Sequence, residues 1–212
     1  MSILMDKGFL NKIDNMNSNK NLNLFIIGPS GCGKTTQAKL IAEKYNLTHI
    51  SMGQLLRDEM AKKSGFGIEA KGYIDNGKLV PDDLVFDVLI SHLKSLEYKN
   101  FIVDGFPRIL NQGRIIEFFL RKNNSPLTAL IHLTLSFKQI SKRRTKAGDE
   151  FQDQNRSDNS PAQIANRQAF YGDNIEGIRD YFVGKGKFID INGNRPIEPI
   201  FEDIVKAIEK IK

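Results

Sequence analysis

The sequence predicts an α/β fold in which a five-stranded parallel sheet is flanked by helices and carries a phosphate-binding loop (P-loop). Short apolar runs rich in β-forming residues recur along the chain, with helical patterns between them. The predicted strands are residues 22–27, 48–52, 101–104, 130–135 and 187–191. Strands that alternate with helices are typical of a parallel sheet covered on both faces. The P-loop follows the first predicted strand, where such sheets bind ligands.

Residues 28–35 form this loop, with the pattern G-x-x-x-x-G-K-T, and a helical stretch over residues 36–45 follows it. Glycines let backbone N–H groups surround phosphate oxygens, and the N-terminus of a helix adds favourable dipole charge. Lys34 is expected to reach the β- and γ-phosphates, and the hydroxyl of Thr35 or Thr36 to bind Mg²⁺. The pattern therefore predicts a nucleoside triphosphate site. Its candidate residues are Gly28, Ser30, Gly31, Cys32, Gly33, Lys34, Thr35 and Thr36.

The remaining elements form one predicted domain over residues 22–212. A helix begins after Pro81 and covers residues 82–96, and an amphipathic helix closes the chain. Two stretches interrupt the alternation: residues 54–80 contain two short helical patterns, and residues 145–160 are nearly all polar. Because connections between strands and helices are usually short, each stretch is predicted to be a functional insert or a lid. Residues 1–21 are predicted to be a flexible tail.

Composition argues against several partners and compartments. The chain has 212 residues and a single cysteine, Cys32, which suits a reducing compartment, so we expect a cytoplasmic protein. No apolar run approaches the roughly 20 residues that span a bilayer. The net charge is +6, but the arginines lie at separate positions rather than in one basic run. Neither a membrane nor a nucleic acid is an expected partner.

The third predicted strand ends at a carboxylate, Asp104, and a turn after it presents Arg108. The C-terminal end of a parallel strand opens into the ligand crevice beside the first loop. Asp104 and Thr35 are therefore candidate Mg²⁺ residues, with Asp104 acting through water. Guanidinium groups bind phosphate oxygens in a bidentate way; the candidates are Arg57, Arg108, Arg143, Arg144, Arg156 and Arg167. The three histidines have no second ligand at metal-binding spacing and are interpreted as structural.

Taken together, these segments resemble the adenylate kinase family of nucleoside monophosphate kinases, in its short-lid form. The resemblance runs from about Leu24 to the C-terminus. It includes residues 51–57, residues 77–82 and the family's Asp-Gly-Phe-Pro-Arg signature at residues 104–108. Gln112 falls where adenylate kinases place the glutamine that reads the adenine of AMP.

The resemblance implies Mg²⁺-dependent transfer of the γ-phosphoryl group of ATP to AMP, which gives two ADP. An insert over about 51–80 would bind the monophosphate, and a short lid over about 145–160 would close over ATP. The implied catalytic residues are Lys34, Arg108, Arg156 and Arg167, and Arg143 joins the ATP-binding set. The implied AMP-binding residues are Met52, Gly53, Arg57, Leu79, Val80, Gly105, Arg108 and Gln112. No zinc is expected because the lid has no cysteine, and we expect a monomer.

Five positions depart from the family pattern. Met52 and Gln54 stand where the family has threonine and aspartate, and Thr35 stands where it usually has glycine. In the lid, Asn159 replaces an aspartate and Ala147 a phosphate-binding arginine. These departures leave two alternatives open: a kinase for UMP, CMP or GMP, and a nucleotide-binding regulatory module with little catalysis.

Overall fold

Five parallel strands form one sheet, which confirms the predicted fold class. The computed structural model describes residues 21–75, 80–136, 138–140 and 161–211. The strands are β1 (Asn23–Ile27), β2 (Thr48–Ser51), β3 (Phe101–Asp104), β4 (Ala129–Thr134) and β5 (Phe188–Asn192), in the spatial order β2-β3-β1-β4-β5. Each strand differs from its predicted run by no more than one residue at either end.

Helices cover both faces of this sheet. Those in the described part of the chain are α1 (Lys34–Tyr45), α2 (Met52–Ala61), α3 (Gly65–Asp75), α4 (Asp82–Ser95), α5 (Leu110–Lys122), α6 (Pro161–Val183) and α7 (Ile197–Glu209). Two of them, α2 and α3, correspond to the two short helical patterns of the predicted insert. The predicted lid and residues 1–20 of the predicted tail lie outside the described residues. Over the described ranges, no helix has both the length and the apolar character needed to span a membrane.

Side chains of the central strand alternate between two apolar cores. Leu24 and Ile26 of β1 pack on one side of the sheet with residues of α1 and α7. Phe25 and Ile27 pack on the other side with residues of α4, α5 and α6. All four side chains are buried, as expected for a parallel strand covered on both faces. The sheet is therefore a rigid platform, and the loops at its edges are free to carry chemistry.

A buried asparagine fixes β1 at the edge opposite the P-loop. Asn23 is fully buried, and its Nδ2 donates to the carbonyls of Tyr98 (3.2 Å) and Ser125 (3.0 Å). Its Oδ1 accepts the backbone N–H of Asn100 at 3.0 Å. Because a buried amide is costly unless it is hydrogen-bonded, this network holds the loops before β3 and β4 to the start of β1.

The strand register brings the C-terminal ends of β1, β3 and β4 to one edge. Ile26 lies opposite Asp104 of β3, and Ile27 lies opposite His132 of β4. The chain leaves β1 at Gly28, between these two neighbours. Residues at the ends of three adjacent strands can therefore meet around the P-loop.

The two helices of the predicted insert are in very close contact at one glycine. A Cβ atom at Gly67 of α3 would lie 1.9 Å from the carbonyl oxygen of Glu59 in α2. The hydroxyl of Ser64, between the helices, donates to the same carbonyl at 3.2 Å and accepts the N–H of Gly67 at 3.0 Å. Only glycine allows this approach of the two backbones.

Candidate active site

Three glycines with positive φ shape the P-loop between β1 and α1. The φ angles are 152° at Gly28, 89° at Gly31 and 100° at Gly33, a region that residues with a Cβ rarely adopt. Gly33 is the N-cap of α1, and its carbonyl accepts the N–H of Gln37 at 3.1 Å. The N–H groups of the first turn of α1 have no acceptor within the helix. A helix N-terminus of this kind can bind anions, and it lies where the sequence predicts the phosphate site.

Lys34 places a positive charge against this loop. It is the first residue of α1, and its Nζ donates to the carbonyl of Pro29 at 2.9 Å and lies 4.0 Å from Sγ of Cys32. The side chain thus folds back over the P-loop. An anionic ligand held by the loop would meet both the ammonium group and the helix N-terminus.

Gly28 is the position of the loop least able to accept a side chain. A Cβ there would lie 2.6 Å from the carbonyl oxygen of Leu133 and 2.9 Å from Sγ of Cys32. We expect Gly28→Ala to lower the free energy of unfolding by about 1–3 kcal/mol, because the backbone must shift or hold a strained φ. We also expect it to weaken ATP binding. Thermal unfolding and an ATP titration measure the two effects.

The control for this prediction is Gly72→Ala in α3, where an added Cβ would meet nothing within 4 Å. Since Gly72 is helical, alanine there is expected to stabilise the protein by about 0.5–1 kcal/mol. Equal Tm values for the two variants would contradict the strain assigned to Gly28.

The carboxylate at the end of β3 meets the hydroxyl that follows Lys34. Asp104 is 4% exposed, and Thr35 Oγ1 donates to its Oδ2 at 2.5 Å. The sequence predicted these two side chains as a Mg²⁺ pair, and the structure brings them together. A hydroxyl and a carboxylate are oxygen donors of the kind that Mg²⁺ prefers.

Charged and polar neighbours keep Asp104 ionised. Burial by itself raises the pKa of this carboxyl group, but a contact with His49, the charge of Lys34 and the Thr35 hydroxyl together hold the pKa below its ordinary value. Nε2 of His49 lies 3.9 Å from Oδ2 of Asp104. The site therefore presents a negative charge beside the P-loop near neutral pH.

Gln112 links the turn after β3 to the start of α4. It is 5% exposed; its Oε1 accepts the backbone N–H of Arg108 at 2.8 Å, and its Nε2 donates to Oδ1 of Asp82 at 2.7 Å. The side chain of Arg108 is exposed, and its Nε lies 3.4 Å from the carbonyl of Gly105. This turn holds a guanidinium group at the edge of the crevice.

On the insert, Arg57 is organised by its own helix. Its Nη2 donates to Oε1 of Gln54 at 2.7 Å, and Nε2 of Gln54 donates to Oδ1 of Asp58 at 2.7 Å. Gly53 adjoins this arginine, since a Cβ there would lie 3.4 Å from an Nη atom of Arg57. Met52 is 2% exposed and belongs to the apolar core beside β1. Its predicted contact with a purine base remains a prediction, and the structure gives it a packing role.

A further contact with the P-loop comes from the turn after β5. The N–H of Gly193 donates to the carbonyl of Thr134, at the end of β4, at 2.8 Å. A Cβ at Gly193 would lie 2.9 Å from that oxygen and 3.8 Å from the carbonyl oxygen of Cys32. The turn therefore closes the side of the loop opposite Asp104.

Comparison with known proteins places this geometry in a family. A family model described as adenylate kinase matches residues 26–187. Adenylate kinase from Bacteroides fragilis is 37% identical over 191 residues, which cover 90% of this chain and 100% of the relative. Adenylate kinase from Archaeoglobus fulgidus is 33% identical over 218 residues, covering 90% and 100%. That from Prochlorococcus marinus is 34% identical over 185 residues, covering 87% and 97%.

The chain belongs to the adenylate kinase family. Membership confirms the resemblance drawn from the sequence and the predicted enzyme class, a nucleotide-binding P-loop kinase that transfers a phosphoryl group. It favours an enzyme over the alternative of a nucleotide-binding regulatory module with little catalysis.

The structure describes most of the predicted site of this adenylate kinase family member. The P-loop glycines, Lys34, Thr35 and Asp104 lie together, and Arg108 and Gln112 lie on the turn after β3. Val80 is partly buried against the core, and Arg167 lies on α6. Leu79, Arg143 and Arg156 lie outside the described residues. Their roles stay predictions, as do the ligand contacts of the described residues.

Sequence reasoning missed two neighbours of the P-loop in this kinase. His49 was interpreted as structural, but it lies beside Asp104. The signal was its position two residues before the end of β2, since β2 and β3 end in register at Ser51 and Asp104. Gly193 follows the last strand in an Asn-Gly-Asn turn, and the C-terminal ends of all parallel strands meet at the same edge.

Proposed function

We propose that the chain transfers the γ-phosphoryl group of Mg²⁺-bound ATP to AMP and releases two molecules of ADP. Family membership supports the reaction class, and the relatives' shared description as adenylate kinase supports the acceptor. The observation that carries the choice of AMP over GMP and UMP is the orientation of the Gln112 side chain.

The amide of Gln112 has one orientation only. The backbone N–H of Arg108 requires an acceptor, so it selects Oε1, and the carboxylate of Asp82 requires a donor, so it selects Nε2. One amide hydrogen and one lone pair of Oε1 are left for a ligand. A base edge that offers an acceptor beside an amino donor, as adenine and cytosine do, complements this fixed pair. Guanine offers the reverse order, and the amide cannot turn to match it without losing both bonds.

Cationic groups at both ends of the crevice support a transfer between two phosphate groups. Lys34 and the N–H groups of α1 would hold the phosphates of ATP. Arg57 and Arg108 would hold the acceptor phosphate through bidentate contacts. Arg167 on α6, with Arg143 and Arg156 outside the described residues, would stabilise the charge on the transferring group. Phosphoryl transfer relies mainly on such positioning and charge stabilisation.

The residues present suit Mg²⁺ that is held largely by the nucleotide. No group of three or more His, Cys, Asp or Glu side chains able to hold a metal occurs among the residues that the structure describes. Mg²⁺ commonly keeps several waters and binds through one or two protein oxygens plus substrate phosphates. Thr35 would supply a direct oxygen and Asp104 would orient bound water. The ion would offset the charge of the β- and γ-phosphates.

The test is ADP formation from ATP and Mg²⁺ with AMP, UMP, CMP or GMP as acceptor, each beside a reaction with ATP alone. We expect AMP to give the highest kcat/KM, and GMP to be at least about tenfold poorer because one mismatched hydrogen bond to a buried amide costs roughly 1–3 kcal/mol. If a pyrimidine monophosphate is turned over as well as AMP or better, AMP is not the preferred acceptor. If the protein binds ATP but transfers phosphate to no acceptor, the alternative of a nucleotide-binding regulatory module with little catalysis would be favoured.

A further inference from the structure

A chain of three polar side chains crosses from the last strand to helix α6 below the P-loop. Nδ1 of His132, on β4, lies 3.0 Å from Oδ1 of Asp190 on β5. Nε2 of the same imidazole is hydrogen-bonded to the hydroxyl of Tyr171 on α6. His132 is 6% exposed, and the ring of Phe188 packs beside it.

The direction of these hydrogen bonds follows from the groups that make them. A carboxylate only accepts, so Nδ1 of His132 donates to Asp190. Burial, aided by the charge of Arg179, lowers the pKa of His132 against the opposing effect of Asp190. The imidazole is therefore neutral near pH 7, and its Nε2 accepts the hydroxyl proton of Tyr171. Each member of the chain has a partner, and Asp190 anchors it from the partly exposed end.

The Tyr171 end of this chain lies at the P-loop. His132 pairs in register with Ile27, the residue that precedes Gly28. Burial raises the pKa of Tyr171, and the nearby Cys32 of the P-loop adds to that rise. Because Ile27 precedes the P-loop and lies opposite His132, the hydroxyl bonded to this imidazole is held near the strand end from which the loop leaves.

Tyr171 also shares a helix face with Arg167. The two residues are four positions apart on α6, so their side chains project from the same face one turn apart. The same stripe continues through Ile178 and Phe182, which are buried against the sheet. Arg167 and Tyr171 are partly buried on this stripe. The hydrogen bond that holds Tyr171 against the sheet therefore also holds the neighbouring helical turn, which carries Arg167.

We propose that Tyr171, held by His132 and Asp190, is a positioning residue that sets the N-terminal half of α6, and with it Arg167, against the P-loop. The proposal rests on the proposed function for the role of Arg167 in transfer. Tyr171 acts through Arg167 and the loop, and it touches no reacting atom. Its removal should therefore reduce kcat more than it changes either KM.

The other end of α6 has a separate anchor, which provides a matched control. The hydroxyl of Tyr181 lies 3.4 Å from Oε2 of Glu117 on α5, and Nζ of Lys187 lies 3.1 Å from Oε1 of the same carboxylate. Tyr181→Phe removes a tyrosine hydroxyl bond from the same helix, far from Arg167. A loss common to both tyrosine variants would report general packing of α6.

The experiment compares Tyr171→Phe with Tyr181→Phe in the full chain. We measure kcat, the KM for ATP and for AMP, and the rate at which a maleimide modifies Cys32, the single cysteine. Tyr171→Phe is expected to lower kcat about 5- to 10-fold, the equivalent of one net hydrogen bond, with each KM within about twofold. It should also speed Cys32 modification by a similar factor, since the helix no longer packs firmly on the loop. Tyr181→Phe should change neither quantity.

A second variant, His132→Phe, breaks the hydrogen bonds among Tyr171, His132 and Asp190 at a different residue. It replaces Tyr171→Phe as the test if that variant does not fold. The double variant is expected to lose no more kcat than Tyr171→Phe alone, because both changes break the same chain. An unchanged kcat in Tyr171→Phe, or an equal loss in Tyr181→Phe, overturns the proposal. If the wild-type protein transfers phosphate to no acceptor, the proposed function is wrong. In that case the rate of Cys32 modification alone tests the positioning role of Tyr171. Equal modification rates in the wild-type protein and in Tyr171→Phe would overturn that role.

Discussion

Replacing Lys34 with methionine is expected to reduce kcat for phosphoryl transfer about 100- to 1,000-fold, the usual cost of removing one preorganised electrostatic group. Methionine keeps the length of the side chain but removes the charge and the hydrogen bond to the carbonyl of Pro29. The lost charge is the one that we propose binds the β- and γ-phosphates. A coupled assay of ADP formation and a thermal unfolding curve measure activity and folding in the same preparation.

Lys39→Met is the matched control for this change. Lys39 lies on the same helix, α1, and its side chain is exposed to solvent. It should keep wild-type kcat, and both variants should keep a Tm within about 4 °C of the wild-type value. Full activity of Lys34→Met would show that the P-loop has been assigned wrongly.

Replacing Asp104 with asparagine is expected to lower activity at saturating ATP about 10- to 100-fold, as removal of an outer-shell metal partner usually does. The asparagine oxygen can still accept the Thr35 hydroxyl, but it carries no charge to orient metal-bound water. More Mg²⁺ should therefore be needed for half-maximal rate. A Mg²⁺ titration of the initial rate at fixed ATP measures this shift.

The sign of the pH effect gives this prediction a second readout. The pKa of Asp104 is lower in the folded protein than its ordinary value, so the unfolded chain binds a proton more readily as the pH falls. The ionised carboxylate therefore stabilises the folded protein at pH values above the pKa that Asp104 has in the unfolded chain. This stabilisation is lost as the pH falls through the lower pKa of the folded protein. Asp104→Asn should flatten the fall in stability over that range, whereas Asp87→Asn, an exposed residue of α4, should not. An unaltered Mg²⁺ dependence in Asp104→Asn would remove Asp104 from the metal site.

Much of the fold and the centre of the candidate site could be predicted because short, contiguous sequence patterns indicate both. The strands appear as short apolar runs separated by helical patterns, and the P-loop is a contiguous motif. The contact between Thr35 and Asp104 spans 69 positions, yet it followed from one rule, that parallel strands end at the same edge of the sheet. The same rule applied to β2 places Ser51 opposite Asp104, and His49 lies two residues earlier on the same face of the strand.

What could not be predicted depends on strand order and on helix rotation. His132 meets Asp190 only because β4 and β5 are neighbours, and it meets Tyr171 only because α6 turns that face toward the sheet. Alternation of strands and helices does not fix either arrangement. Met52 is a similar case: the sequence places it at the start of the insert, but only its packing shows that the side chain points into the core.

The contact at Gly67 has a mechanical consequence for substrate entry. At Gly67 the backbones of α2 and α3 are in direct contact, and the Ser64 hydroxyl is hydrogen-bonded to both helices, so the pair resists deformation. The pair should behave as a single stiff lever, with bending confined to where it joins the rest of the protein. Met52, the first residue of α2, is anchored in the core, and Leu55 packs against the same core, so a pivot on this side is expected where α2 meets β2. A small rotation about that pivot would carry Arg57 as a unit with both helices, so its guanidinium group would reach an incoming phosphate already oriented.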